Sequence, residues 1–126
     1  MIKILVADDD AGVRELIRTV LTNEGFQVLE AHDARSCLEL ARYRIPDLIL
    51  LDWMMPGMDG MEALRQLKSE PRTRAIPVVM LTALDGLPEI SLATYNGAEG
   101  YVPKPFDVSD LLSFVQRFTA PAVGAG

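Results

Sequence analysis

Three kinds of side chain, far apart in the chain, could together handle a phosphoryl group: the carboxylates Asp8, Asp9 and Asp52, the hydroxyl of Thr82 and the ammonium of Lys104. Each follows a short apolar run. Asp8-Asp9-Asp10 follows Ile2–Ala7, Asp52 follows Leu48–Leu51, Thr82 follows Val78–Leu81, and Lys104 comes just after Tyr101–Val102. Two carboxylates about 4 Å apart repel by about 4 kcal/mol at an effective dielectric near 20, so a pocket holding several of them asks for a cation or a shared proton. Oxygen-only ligands with room for water suit Mg²⁺ or Mn²⁺. Such an ion would neutralise phosphate oxygens, and Lys104 would add a point charge for the same oxygens. The Thr82 hydroxyl and the Ala83 backbone N–H would donate to a phosphoryl oxygen, leaving the Asp52 carboxylate as the nucleophile. Taken singly, each residue has an ordinary explanation. Asp10 reads as a helix cap, a Thr ending a strand as β propensity, and a Lys beside a Pro as a solvated side chain. The order and shared position of the whole set argue for chemistry.

For these residues to meet, the elements carrying them must share one edge. The apolar runs Ile2–Ala7, Val28–Ala31, Leu48–Leu51, Val78–Leu81 and Tyr101–Val102 are rich in Val, Ile and Leu and mostly lack alternation, the habit of strands buried on both faces of a parallel sheet. Glu30 breaks the second run, which suits an edge strand. Between the runs lie helical stripes: Val13, Leu16, Ile17, Val20 and Leu21; Ala34, Cys37, Leu38 and Ala41; Met61, Leu64 and Leu67; and Val108, Leu111, Leu112 and Val115. Asp33 and Asp107 stand at N-cap positions, Gly25 just past the first helix, and Pro46 and Pro77 just before strands. The fourth helix, over Asp85–Asn96, is poorly endowed, with Gly86, Pro88, Ser91, Thr94 and Asn96. Alternation of strand and helix gives five βα units, and right-handed crossovers make them an α/β doubly wound sheet with helices on both faces. Ligands of such sheets bind beyond the carboxyl ends of the strands, where the acidic residues fall.

Composition narrows the field. The 126 residues suffice for one domain, with 49% apolar and 24% charged residues in a globular balance. A formal net charge of −6 disfavours a direct nucleic-acid interface. One cysteine, Cys37, excludes an internal disulfide, and one histidine, His32, excludes a multi-His zinc centre. No apolar run approaches the ~20 residues needed to cross a bilayer, and no separate signal segment precedes the first strand, so the expected location is cytoplasmic. Residues 1–119 read as the domain and 120–126 as a disordered tail or truncated linker. Cys37 lies on a core-facing stripe, and His32 reads as a surface residue on the outermost strand.

The chain resembles the receiver domain of two-component response regulators, and is chemotaxis-receiver-like. The resemblance rests on Ile4-Leu5-Val6-Ala7-Asp8-Asp9-Asp10, on Pro46-Asp47-Leu48-Ile49-Leu50-Leu51-Asp52 with Met55-Pro56-Gly57-Met58-Asp59-Gly60, on Leu81-Thr82-Ala83, and on Gly100-Tyr101-Val102-Pro103-Lys104-Pro105-Phe106. It implies a flavodoxin-like (βα)₅ fold with a five-stranded parallel sheet in the order 2-1-3-4-5. It also implies Asp52 as phosphoacceptor, and Asp8, Asp9, Asp52 and the Met54 backbone carbonyl as ligands of Mg²⁺ or Mn²⁺. Thr82, Ala83 and Lys104 would bind phosphate, Thr82 and Tyr101 would form the switch, and the Lys104–Pro105 bond would be cis. The implied function is a phosphorylation-controlled signalling switch. A histidine kinase or phosphotransfer protein would supply the phosphoryl group, and the face formed by the fourth helix, fifth strand and last helix would meet an output partner that the sequence leaves unnamed. Such a domain catalyses only its own phosphorylation and dephosphorylation. The sparse charges on that face, Glu89, Glu99, Asp110 and Arg117, favour a monomer or weak dimer.

Three other readings fit less well. An aspartyl-phosphate phosphatase of the haloacid-dehalogenase kind would carry a second Asp two residues past the nucleophile, where Met54 stands. A dinucleotide-binding enzyme would show Gly-x-Gly-x-x-Gly after the first strand. A phosphate-independent interaction module would have lost one of the Asp or Lys residues, all of which are retained.

Overall fold

In the computed structural model, residues 1–55, 57–82, 94 and 96–119 are described. The apolar runs form β1 (Lys3–Ala7), β2 (Gln27–Ala31), β3 (Leu48–Asp52), β4 (Val78–Thr82) and β5 (Gly100–Pro103). The helical stripes form α1 (Ala11–Asn23), α2 (Ala34–Arg44), α3 (Gly60–Ser69) and α4 (Val108–Thr119). The helix expected over 85–96 lies, apart from Thr94 and Asn96, outside the described residues, as do Ala83 and the tail 120–126. Among the described residues no helix is long and apolar enough to cross a membrane.

All strand pairs are parallel and the sheet order is β2-β1-β3-β4-β5, the flavodoxin-like order. Glu30 therefore does sit on an edge strand. Successive residues of a strand face opposite sides, so each central strand feeds two cores. Leu5, Ile49, Leu51, Val78 and Met80 pack under α2 and α3 with Cys37, Leu38, Leu64 and Leu67. Ile4, Val6, Leu48, Leu50, Val79 and Leu81 pack under α1 and α4 with Ile17, Leu21, Leu111 and Val115. Continuous hydrophobicity in β3 and β4 follows from burial at every position. Two residues of the expected stripes stand out of the core: Leu16 is 46% and Val108 39% exposed.

Caps follow the sequence closely. The Asp10 carboxylate accepts from the N–H groups of Gly12 and Val13, and Asp33 forms a reciprocal capping box with Ser36. Asp59, which the sequence reading did not single out, caps α3 through the Glu62 N–H at 2.9 Å. Asp107 accepts from the Ser109 N–H at 2.7 Å. Gly25 takes a φ of +92° just past α1, a conformation that glycine adopts without steric cost.

The register decides where the chemistry falls. Ala7 pairs with Leu51, Asp52 with Leu81, and Thr82 with Pro103. The chain therefore leaves β1, β3, β4 and β5 at one edge, carrying Asp8, Asp52, Thr82 and Lys104 out together.

Among the described residues, one non-glycine backbone position is strained. Ile45, the C-cap of α2, has φ 45° and ψ 68°, a left-handed conformation that crowds a β-branched side chain. Its N–H bonds the Ala41 carbonyl at 3.1 Å, so the conformation closes the helix end. Ile45→Asn keeps that bond and tolerates the conformation. It should stabilise the protein by about 1 kcal/mol in urea unfolding. A loss of stability would mean that the packing of Ile45 outweighs its strain.

Candidate functional site

The site begins with the turn after β1. Asp8 is fully buried, and its N–H donates to the Ala31 carbonyl of β2 at 3.1 Å. Its Oδ1 accepts the Asp10 N–H at 2.9 Å, and its Oδ2 lies 2.5 Å from Lys104 Nζ. Asp9, the next residue, is exposed. Asp10 is committed to capping α1, as its position predicts. Asp8 and Asp10, two residues apart, thus serve different tasks because one follows a buried strand and the other caps a helix.

Asp52 ends β3 and is only 5% exposed. Its Oδ1 lies 3.3 Å from Lys104 Nζ and 3.4 Å from the Met54 N–H. One carboxylate oxygen from each of Asp8, Asp9 and Asp52 lies within 4.8 Å of the others. At such spacing each pair of charges repels by about 3 kcal/mol at an effective dielectric near 20. Burial pushes the Asp52 carboxyl up to about 6, the charge of Asp8 adds to that rise, and Lys104 pulls against both. For Lys104, burial works against the ammonium, but the hydrogen bond it donates to Asp8 and the charge of Asp52 outweigh that and hold it above the usual lysine range. Of the three clustered carboxylates, Asp8 and Asp52 meet the Lys104 ammonium.

That donor set fits a hard divalent cation. All three ligands are oxygens, one is open to solvent, and ligands on opposite sides of Mg²⁺ lie about 4 Å apart. The Met54 backbone belongs to the same turn, with its side chain 62% exposed.

The remaining expected residues fall as follows. Thr82 is buried at the end of β4, and its carbonyl accepts the Lys104 N–H at 2.7 Å, pinning the loop that aims Lys104. The Lys104–Pro105 bond is cis. Tyr101 lies on β5, opposite Met80, and is 39% exposed. Trp53 is nearly buried in the core beneath α2 and α3, with its N–H on the Leu81 carbonyl at 3.0 Å. His32 is exposed, with its Nε2 3.5 Å from the Asp33 carboxylate. Cys37 is buried, and burial pushes its thiol up to about 12, so it is not a reactive thiolate.

Two residues support the site in roles that the sequence did not assign to them. Gly60 opens α3 with its N–H on the Trp53 carbonyl at 2.7 Å, and a Cβ there would sit 2.2 Å from the Asp52 carbonyl oxygen. The available signal was a glycine in the first turn of a helix, where a better helix former would be expected. Arg14 donates from Nη1 to the Asp8 carbonyl at 2.7 Å. Its signal was the charged Glu30 in an otherwise apolar run, which calls for a partner.

An apolar groove of 380 Å³ opens beside this site, lined by Val13, Leu16, Lys104, Pro105 and Phe106. Leu16, exposed on α1, forms part of its wall.

Over residues 4–116 the sequence matches the family described as "Response regulator receiver domain". Among curated relatives, the phosphate regulon transcriptional regulatory protein PhoB of Escherichia coli is 42% identical over 90% of this chain and 50% of its own length. Response regulator PleD of Caulobacter vibrioides is 45% identical over 93% of this chain and 26% of its own length. This chain therefore spans half or less of either relative. Among solved structures, chemotaxis response regulator CheY4 of Vibrio cholerae superposes with a TM-score of 0.89 at 30% identity, covering 94% of this chain and 98% of that one.

Two outcomes follow from the geometry. Gly60→Ala forces Cβ into the backbone of Asp52 and should cost about 3 kcal/mol in urea unfolding. An unchanged midpoint would mean that α3 can shift freely. Asp52→Asn removes one of the crowded charges and, with divalent ions chelated, should raise the thermal midpoint at neutral pH by about 5 °C. A fall instead would mean that the attraction of Lys104 exceeds the costs of burial and crowding.

Proposed function

Because the chain belongs to the receiver domain family of response regulators, we propose that it is a phosphorylation-controlled switch of a two-component phosphorelay, with Asp52 as its phosphoacceptor. The observation that carries this reading is the convergence of Asp8, Asp9, Asp52 and Lys104 in one pocket at the carboxyl edge of the sheet.

The residues divide the work. Asp8, Asp9, Asp52 and the Met54 carbonyl would hold Mg²⁺ or Mn²⁺. The bound ion supplies charge to neutralise the phosphoryl oxygens during transfer. An oxygen of the Asp52 carboxylate attacks phosphorus as the bond from phosphorus to the donor histidine nitrogen breaks, and the imidazole leaves with that electron pair. With a carboxyl that ionises near pH 6, Asp52 is mainly the carboxylate at neutral pH and is available as nucleophile. Lys104 reaches both Asp8 and Asp52, so it can follow negative charge from the carboxylates to the phosphoryl oxygens. Thr82 and the Ala83 N–H complete the phosphate contacts in this reading. The surrounding protein catalyses its own modification and no further reaction.

A histidine kinase or histidine phosphotransfer protein would present its phosphohistidine beside Asp52, and the apolar groove lined by Val13, Leu16 and Phe106 offers it a landing surface next to Lys104. The new phosphoryl group adds charge and acceptor oxygens. Movement of Thr82 toward it would leave room for the Tyr101 ring, which stands 39% exposed. The face containing β5, α4 and the segment over 85–96 would then change shape for an output partner. Linkage makes this reciprocal: a partner that favours the altered face favours phosphorylation equally. The same reading places the domain, residues 1–119, in the cytoplasm as a monomer or weak dimer, without direct nucleic-acid or membrane contact, and leaves 120–126 as tail or linker.

The test is intact mass after incubation with acetyl phosphate and Mg²⁺. The parent should gain one phosphoryl group, while Asp52→Asn and a chelator-treated parent should gain none. A folded parent that binds Mg²⁺ but stays unmodified would leave a phosphate-independent interaction module on a receiver fold.

A further inference from the structure

We infer that Arg14 is the positioning residue of the acidic pocket, fixing the turn after β1 so that Asp8 and Asp9 present ready-placed ligands to a divalent cation. This rests on the proposal that the pocket holds such an ion.

The turn that carries Asp8 and Asp9 is only a few residues long. Its far end is closed by the first hydrogen bond of α1, from the Arg14 backbone N–H to the Asp10 carbonyl at 3.1 Å, which any non-proline residue there would make; its near end is held by the Arg14 side chain, whose Nη1 donates to the Asp8 carbonyl at 2.7 Å. The Asp8 side chain cannot hold the turn by itself in a cation-bound form. Its Oδ2 faces Lys104, a contact that an incoming cation must compete with, and its Oδ1 accepts the N–H of Asp10, two residues further on. Asp9 is exposed, so the placement of its carboxylate follows the backbone. A guanidinium on the Asp8 carbonyl acts on that backbone directly.

The guanidinium is itself held. Glu30 on the edge strand β2 receives Arg14 Nε at 3.3 Å and lies 3.5 Å from Arg18 Nη1. The Arg14 side chain is only 18% exposed, less than the 49% of Arg18, which shares the same carboxylate. An arginine suits this place because it can donate from Nε to a carboxylate and from Nη1 to a carbonyl at once. A lysine has a single nitrogen on a flexible stem. Groups that orient metal ligands typically alter metal affinity about 10- to 100-fold when removed.

The experiment is a calorimetric Mg²⁺ titration of the folded chain, with phosphorylation by acetyl phosphate followed by intact mass at limiting and saturating Mg²⁺. Arg14→Met keeps the apolar stem and should weaken Mg²⁺ binding about tenfold. Its phosphorylation should be slow at limiting Mg²⁺ and recover at saturation. Arg14→Lys should fall between parent and Met variant, and Glu30→Gln, which keeps an acceptor for Arg14, should stay near the parent. Should Arg14→Met fail to fold, the Lys variant decides: parental Mg²⁺ affinity in it overturns the inference. Parental affinity in a folded Met variant overturns it too, as does a phosphorylation defect that saturating Mg²⁺ does not relieve. A parent that binds no Mg²⁺ overturns the metal reading of the pocket and this inference with it.

Discussion

The structure turns on a deficit of positive charge. Asp8, Asp9 and Asp52 bring carboxylate oxygens within 4.8 Å of one another, and Lys104 is the ammonium that bridges two of them. Asp8 and Asp52 are buried, so water screens them poorly and their repulsion bears on the fold. A protein optimised for stability alone would replace one of them. Under the proposed switch function their presence is a cost carried for phosphoryl chemistry, and the surrounding elements are arranged to withstand it.

Three restraints do so. The β1 turn is closed on itself through Asp8 Oδ1 and the Asp10 N–H, while Asp10 spends its own side chain on the α1 cap. The β3 end is backed by Gly60, whose missing side chain lets α3 sit directly against the Asp52 carbonyl. The β5 end is fixed by the Lys104 N–H on the Thr82 carbonyl. The first restraint uses a side-chain oxygen of the pocket, whereas the other two are backbone contacts that hold the scaffold in place when the charge on the side chains changes. The two cores on opposite faces of the sheet make that scaffold stiff, since each central strand is locked from both sides.

Charge away from the pocket serves other ends. Arg42 makes a two-pronged contact with Glu70, at 2.8 and 2.6 Å, that joins α2 to the end of α3. Lys68 reaches Glu99 at 3.0 Å and the Ile76 carbonyl at 2.8 Å, tying α3 to the approach to β5. These contacts lie among residues distant in sequence from the acidic turn. Arg14 differs because its partner is the carbonyl of a pocket residue.

The strands, the helices between 11 and 69, and the last helix were legible because burial on both faces selects continuous Val, Ile and Leu, and burial on one face selects a helical stripe. The caps at Asp10, Asp33 and Asp107 were legible because capping is local chemistry. The types of the site residues, and their place after successive strands, could also be read directly. Strand order was available only through family resemblance, since hydrophobic pattern says that strands are buried but not beside which neighbour. Gly60 against Asp52, Arg14 on the Asp8 carbonyl and the exposure of Leu16 beside Phe106 were decided by tertiary structure alone. Each is a contact between elements, set by register and helix placement over distances of several ångströms. The sequence by itself determined which groups could do chemistry and at which edge of a sheet they would stand. Only the folded chain decided how close the carboxylates come, because that distance is fixed by backbone packing between segments that the linear pattern leaves independent.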